Sequence, residues 1–255
     1  MPLTFVRHAA PPRLQRGLSL VELMVGITVG LIVVAAASLM MTNQVLEHSR
    51  LMRETQLQQD LRAVGDLMLR DLRRAGFWAT PEVTVWAPGQ TMTASDYSNT
   101  SPPSDTATQA LYAYSSSDQY TAVPPTRPQT PARLPAESFG FQKSADGILQ
   151  SLLGQATFSL DANGNFVYQS GTWQPLTDPA TLVIDDFNIK LVSQPVDLRN
   201  YCNPPCVGSA CPQLNVRRFD IFLKAHSKQD VTVVRTLNIS SRVRNDQVVG
   251  ACPVP

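Results

Sequence analysis

The chain has 255 residues and a formal net charge of +1, so no global field draws nucleic acid or an acidic substrate to it. Charged residues make up only 16 % and prolines number 20, which excludes a highly charged cytosolic enzyme. The apolar fraction of 43 % argues against disorder throughout, and the length admits one sizeable domain or two small ones.

The first predicted element is a helix in "RGLSLVELMVGITVGLIVVAAASLMM", Arg16 to Met41. Leu23 to Met41 carries no charge, and a bilayer core needs about 20 apolar residues as helix. The preceding segment holds Arg7, Arg13 and Arg16 and no acid, a flank that keeps the N-terminus cytoplasmic. A secretory signal would have a shorter apolar run ending at a small-residue cleavage site. "VVAAAS" offers such a site weakly, but the run continues past it. A plain anchor leaves Glu22 unexplained, since a mid-span carboxylate costs roughly 2.5–3.5 kcal/mol.

The run Gly17-Leu18-Ser19-Leu20-Val21-Glu22, between a basic leader and an apolar helix, resembles the class III signal of type IV pilins and pseudopilins. The resemblance implies that a prepilin peptidase cuts between Gly17 and Leu18 and that the new Leu18 amine is N-methylated. It also implies that Glu22, then the fifth residue, meets the N-terminal amine of a neighbouring subunit. Phe usually follows the cut; Leu18 departs from that while remaining apolar. The physical logic agrees, because an amine and a carboxylate in low dielectric are far cheaper paired than apart.

Helical character continues through "TNQVLEHSRLMRETQLQQDLRAVGDLMLRDLRRAGFW", which lacks proline. Leu57, Leu61, Val64, Met68, Leu72 and Ala75 recur at three- and four-residue spacing as one apolar stripe. Gly65 is a weak point in the pattern, and Gly76 reads as the stop, with Arg73 and Arg74 suited to the negative end of the helix dipole. Residues 80–135 are rich in Pro, Ser and Thr and read as loop, with "ALYAYS" as a short strand.

From Phe139 the pattern becomes β. Asn163-Gly164 between apolar stretches signals a hairpin. Alternation places Val183, Asp185, Phe187, Ile189 and Leu191 on one face; Phe219, Ile221, Leu223 and Ala225 on another; and Val231, Val233, Leu237, Ile239 and Val243 together, with Arg235 and Ser241 interrupting. The expected fold is α+β: a long helix packed on one antiparallel sheet with a single buried face, the roll that the pilin resemblance also implies.

Four cysteines, Cys202, Cys206, Cys211 and Cys252, read as two disulfides in a translocated domain, with three possible pairings. The C-x3-C-x4-C spacing lacks the C-x2-C pairs or ordered histidines of zinc sites. "DANGN" begins like a calcium loop, but Phe166 stands where Gly is needed and Thr172 where the last acid is needed, so a turn is expected. Asp185-Asp186 should point to opposite faces, and Asn238-Ile239-Ser240, a glycosylation pattern, falls in a strand. Arg217, Arg218, Arg242 and Arg244 read as scattered solvent-facing residues rather than a nucleic-acid patch. Neither His48 nor His226 comes with a nucleophile, so no enzyme, metal or cofactor is expected.

"LRDLRRAGFW", "QPLTDPATLVIDDF" and "RTLNISSRVRND" resemble the PilW type of minor pilin. The implied plan is a cleaved leader at 1–17, a transmembrane and filament-core helix at 18–41, its amphipathic continuation at 42–76, an irregular Pro/Ser/Thr-rich region at 77–138, and an antiparallel β domain with a Cys-rich loop at 139–255. The implied role is a structural subunit that initiates or joins pilus assembly near the tip. A type II secretion pseudopilin (GspJ-like) is the alternative, and a single-pass membrane-anchored periplasmic enzyme or sensor is the alternative of another class. The implied partners are prepilin peptidase, other minor and major pilins, the inner-membrane assembly machinery and, before assembly, lipid; no nucleic acid is expected. The implied place is the bacterial inner membrane, single pass with the C-terminal domain periplasmic, and then the pilus fibre at the cell surface.

Overall fold

The computed structural model describes residues 17, 19–77, 97, 100–101, 107–115, 135–162 and 164–253. The chain divides into two compact units, 1–51 and 52–255. Helix α1 (Leu20–Leu72) begins in the first and ends in the second.

In the first unit no described side chain is buried, although the apolar run is continuous. Within the helix its hydroxyls bond back to the preceding turn: Thr28 Oγ1 donates to Val25 O at 2.9 Å, Ser38 Oγ to Val34 O at 2.8 Å, Thr42 Oγ1 to Ser38 O at 2.9 Å and Ser49 Oγ to Leu46 O at 2.8 Å. A hydroxyl bonded back to its own turn leaves no open polar demand, which lets such residues sit in an apolar medium. The helix is long and apolar enough to cross a membrane.

In the second unit the expected stripe is the buried face of α1: Leu57, Leu61, Val64, Met68 and Leu72, with Ala75 just beyond. Gly65 is part of that face rather than a weak point. A Cβ there would stand 2.7 Å from Leu237 Cδ2, so the missing side chain is what lets the sheet come close. The helix ends at Leu72, four residues before the expected stop, and a turn leads to Gly76, whose φ of +75° suits glycine. Its N–H donates to Ala113 O at 2.8 Å.

The strands are β1 (Thr100–Ser101), β2 (Gln109–Ala113), β3 (Ser138–Lys143), β4 (Leu149–Leu153), β5 (Thr157–Leu160), β6 (Phe166–Ser170), β7 (Trp173–Pro175), β8 (Leu182–Asp197), β9 (Gln213–Ser227), β10 (Asp230–Arg242) and β11 (Gln247–Val249). They do not form the single sheet expected from sequence. One antiparallel sheet runs β1-β2-β3-β4-β7. A second is centred on β9, with β8 along one edge and β10 and β11 on the other. β5 and β6 form the expected hairpin, and its turn residue Asn163 lies outside the described residues.

The main core joins α1 to both larger sheets: Tyr112, Phe141 and Leu149 meet Phe187, Ile189, Phe219 and Leu223 beneath the helix stripe. The other face of β2 contributes Leu111 and Ala113 to a second cluster with Leu152 and Phe166. The strand expected in "ALYAYS" is therefore covered on both sides, inside a region otherwise read as irregular. The rest of that region, including most of "NTSPPSDTATQ" and "VPPTRPQTPARLP", lies outside the described residues.

Two strands depart from the expected alternation. The β8–β9 register shifts between Ile184 and Asp186, which makes Asp185 an extra residue. Leu182 and Ile184 are therefore buried before the bulge and Phe187 and Ile189 after it, whereas Val183 and Asp185 are not in the core. β10 shifts between Asp230 and Val234, so Val231 is 67 % exposed while Val233 is buried. β9 keeps its alternation from Arg217 to Ser227.

Candidate functional site

The processing motif sits at the head of α1. Gly17 is exposed, and a Cβ there would meet nothing within 4 Å. Leu18 lies outside the described residues. Glu22 is exposed in the first turn of α1, where the positive end of the helix dipole favours a carboxylate. Ser19 and Glu22 have the spacing of a capping box. Among the described residues neither side chain makes a hydrogen bond or ion pair, so local capping does not occupy Glu22. The head of the helix thus offers a carboxyl group with no partner among the described residues, at the start of a largely apolar run.

The disulfide loop resolves to one pairing. Cys202 bonds to Cys252 and Cys206 to Cys211, with Cα separations of 5.4 and 5.6 Å. The four sulfurs form a small buried cluster of their own. The long bridge holds the segment after β11 against the loop, where Ala251 N also donates to Ala210 O at 3.0 Å. With all four cysteines oxidised, no thiolate remains for zinc.

Arg217, Arg218, Arg242 and Arg244 do not form an exposed patch. Arg217 is only 3 % exposed, on the same row of β9 as Phe219 and Ile221. Burial pulls its pKa down to about 10, opposed by the charge of Asp246, and one of its N–H groups donates to Asn245 O at 3.0 Å. This corrects the solvent-facing reading; the parity shared with Phe219 was the signal that could have found it. Arg218 pairs with Asp220 at 3.2 Å and Arg242 with Asp246 at 2.9 Å, while Arg244 is exposed.

The paired aspartates are separated by the bulge. Asp185 meets His226 Nδ1 at 2.7 Å, and Asp186 accepts from Asn188 Nδ2 at 3.0 Å. Asp161 spends both carboxylate oxygens on Asn165, at 2.8 Å to the backbone N–H and 2.9 Å to the side-chain amide. That closes the hairpin turn.

One constellation was missed from sequence. Asp71, in the last turn of α1, accepts hydrogen bonds from both Tyr112 Oη and Tyr114 Oη, the latter at 3.0 Å. Burial, followed by the charge of Asp71, raises both phenols above the usual tyrosine range. Arg74 stands over the Tyr114 ring at 4.2 Å. Arg235 and Ser241, read as interruptions in β10, also tie sheet to helix: Arg235 pairs with Glu54, and Ser241 Oγ donates to Leu69 O at 3.3 Å.

An unpaired carboxylate heading an exposed apolar helix, with a glycine just before it and a helix-covered β domain after it, defines a pilin-like protein. The family model for the prokaryotic N-terminal methylation motif matches residues 12–38, across the glycine, the carboxylate and most of the apolar run. The family model for prepilin peptidase-dependent protein B matches residues 50–243, and the chain belongs to that family. Among curated proteins and solved structures, nothing matches the chain.

Proposed function

We propose that the chain is a minor type IV pilin of the PilW type, a structural subunit that initiates or joins pilus assembly near the tip. In this reading the peptidase cuts between Gly17 and Leu18, the Leu18 amine is methylated, and Glu22 pairs with the amine of a neighbouring subunit. Residues 18–41 anchor the subunit with its β domain in the periplasm and then pass into the fibre. The observation that carries the reading is Glu22, exposed and without a partner among the described residues, at the head of an unburied apolar helix. The disulfides agree with an oxidising compartment.

The test is mass spectrometry of the mature N-terminus in the native host, together with a knockout scored for both piliation and secretion. The expected result is a methylated chain beginning at Leu18 and a loss of pili with secretion intact. A chain beginning near Ser38 would make it an ordinary secreted protein. Loss of secretion with pili intact would assign it to a pseudopilus.

A further inference from the structure

The face of the β9 sheet turned away from α1 carries a row of unusual composition. Along β9 from Arg218 to His226 the residues that alternate with the core are Arg218, Asp220, Phe222, Lys224 and His226, and Phe222 is the one apolar residue in that stretch, with Val216 and Leu214 continuing the row beyond it. Register sets Asn188 of β8 on one side of Phe222 and Asn238 of β10 on the other. Asn238 is exposed, and Phe222 and Asn188 are half-buried. Asn188, Phe222 and Asn238, with Asp220 and Ser240, help line a shallow depression of about 380 Å³.

We infer that this row is a binding platform for a neutral sugar ring, seated on Phe222 and held at its rim by Asn188 and Asn238. A pyranose has an apolar C–H face and a rim of hydroxyls that both donate and accept. An aromatic ring meets the C–H face through dispersion and its quadrupole. A side-chain amide supplies one acceptor and two donors, which matches hydroxyls of either sense. Directly opposed positions on neighbouring strands lie about 5 Å apart, so the two amides flank whatever rests on Phe222. Asn188 Nδ2 is already committed to Asp186, which fixes the amide and leaves its carbonyl oxygen as an acceptor.

The rows on either side select for neutrality. One holds Lys190, Asp220 and Ser240, and the other Asp186, Lys224 and Thr236. Each carries one cation and one anion, so neither an anionic nor a cationic ligand gains a net field. A protein partner would need an apolar centre and roughly 800 Å² per side, and from Arg218 to His226 a single aromatic among polar residues does not provide that. The inference does not depend on whether the subunit serves a pilus or a pseudopilus.

The test is saturation-transfer NMR on the full chain in micelles of a detergent without a sugar headgroup, with cellotriose, maltotriose and chitotriose as probes. At least one is expected to bind at millimolar concentration. Phe222→Ala should weaken that binding about tenfold, the loss of one aromatic contact, while Phe222→Tyr keeps it. Asn238→Ala, at an exposed position, should weaken it about fivefold without moving the melting temperature, as loss of a single hydrogen bond would. Absence of transfer to all three sugars would overturn the inference. So would transfer that survives Phe222→Ala, or a platform that responds to a neighbouring pilin domain and to no sugar.

Discussion

The two parts of α1 share one backbone geometry and differ in what completes them. From Leu20 to Leu51 no side chain is buried, and the hydroxyls bond to their own helix. From Met52 to Leu72 a single stripe is buried, and Glu54, Leu69 and Asp71 each bond to groups outside the helix. The second part is finished by its own chain. Among the described residues nothing covers the apolar run of the first, up to Met41, and lipid or other apolar helices are surroundings that suit it. Mutations in the first should change where the protein goes and leave its folding alone; mutations in the second should do the reverse.

The largest effect expected is Gly17→Phe, which should block leader removal and leave the full-length chain on a denaturing gel. Normal processing of that variant would break the comparison at its root. Next, Glu22→Ala should be processed and keep its melting temperature but enter sheared filaments at least about tenfold less well. In the proposed pairing, the neighbour's amine would be left as an uncompensated buried charge costing about 3–5 kcal/mol. Glu22→Gln separates charge from hydrogen bonding, and wild-type incorporation of both variants would show that Glu22 only tolerates its position.

Leu61→Ala, in the buried stripe, should lower unfolding free energy by about 2–5 kcal/mol in urea melts while processing stays normal. Replacing Cys202 and Cys252 together with serine should cost about 2–4 kcal/mol by the same measurement, since the bridge closes a 50-residue separation. An unchanged urea midpoint would show that the bridge constrains nothing.

The smallest effect is a pH dependence. Tyr112 and Tyr114 have phenols raised above the unfolded value near 10, by burial first and by Asp71 second. The folded form holds these protons more tightly, so their contribution is complete below about pH 10 and is lost as pH rises above it. The expected slope is about 1.4 kcal/mol per pH unit for each tyrosine. Tyr112→Phe should flatten it by about half and cost about 1 kcal/mol at neutral pH, as expected for one hydrogen bond. A stability that holds level from pH 9 to 11 would remove the two phenols from the account.

Much of this arrangement was legible because local periodicity reports burial when one face is covered. The helix stripe from Leu57 to Ala75 and the inward row of β9 follow from spacing alone. The bulge at Asp185 was not legible, because one extra residue reverses the parity and nothing in "VIDDF" marks which residue is extra. The separate sheet was hidden for a different reason. β2 is buried on both faces, which erases alternation, and its pairing with β3 joins residues far apart in sequence. Arg217 was misread by residue type against a parity that pointed inward. Gly17 and Glu22 were readable as a motif; the lock of Asp71 on two tyrosines had no motif to announce it.

The self-bonded hydroxyls of Thr28, Ser38 and Thr42 have one further consequence. A rod whose polar atoms are already satisfied partitions almost equally between two apolar media, because moving it breaks no hydrogen bond and dehydrates nothing. Its transfer free energy from lipid into a bundle of similar helices is then close to zero along most of its length. Between Leu20 and Met41 the one charged residue is Glu22, and in that stretch the direction of transfer falls to it. A single carboxylate can in this way bias the distribution of an otherwise indifferent segment, and the bias can be small enough to reverse.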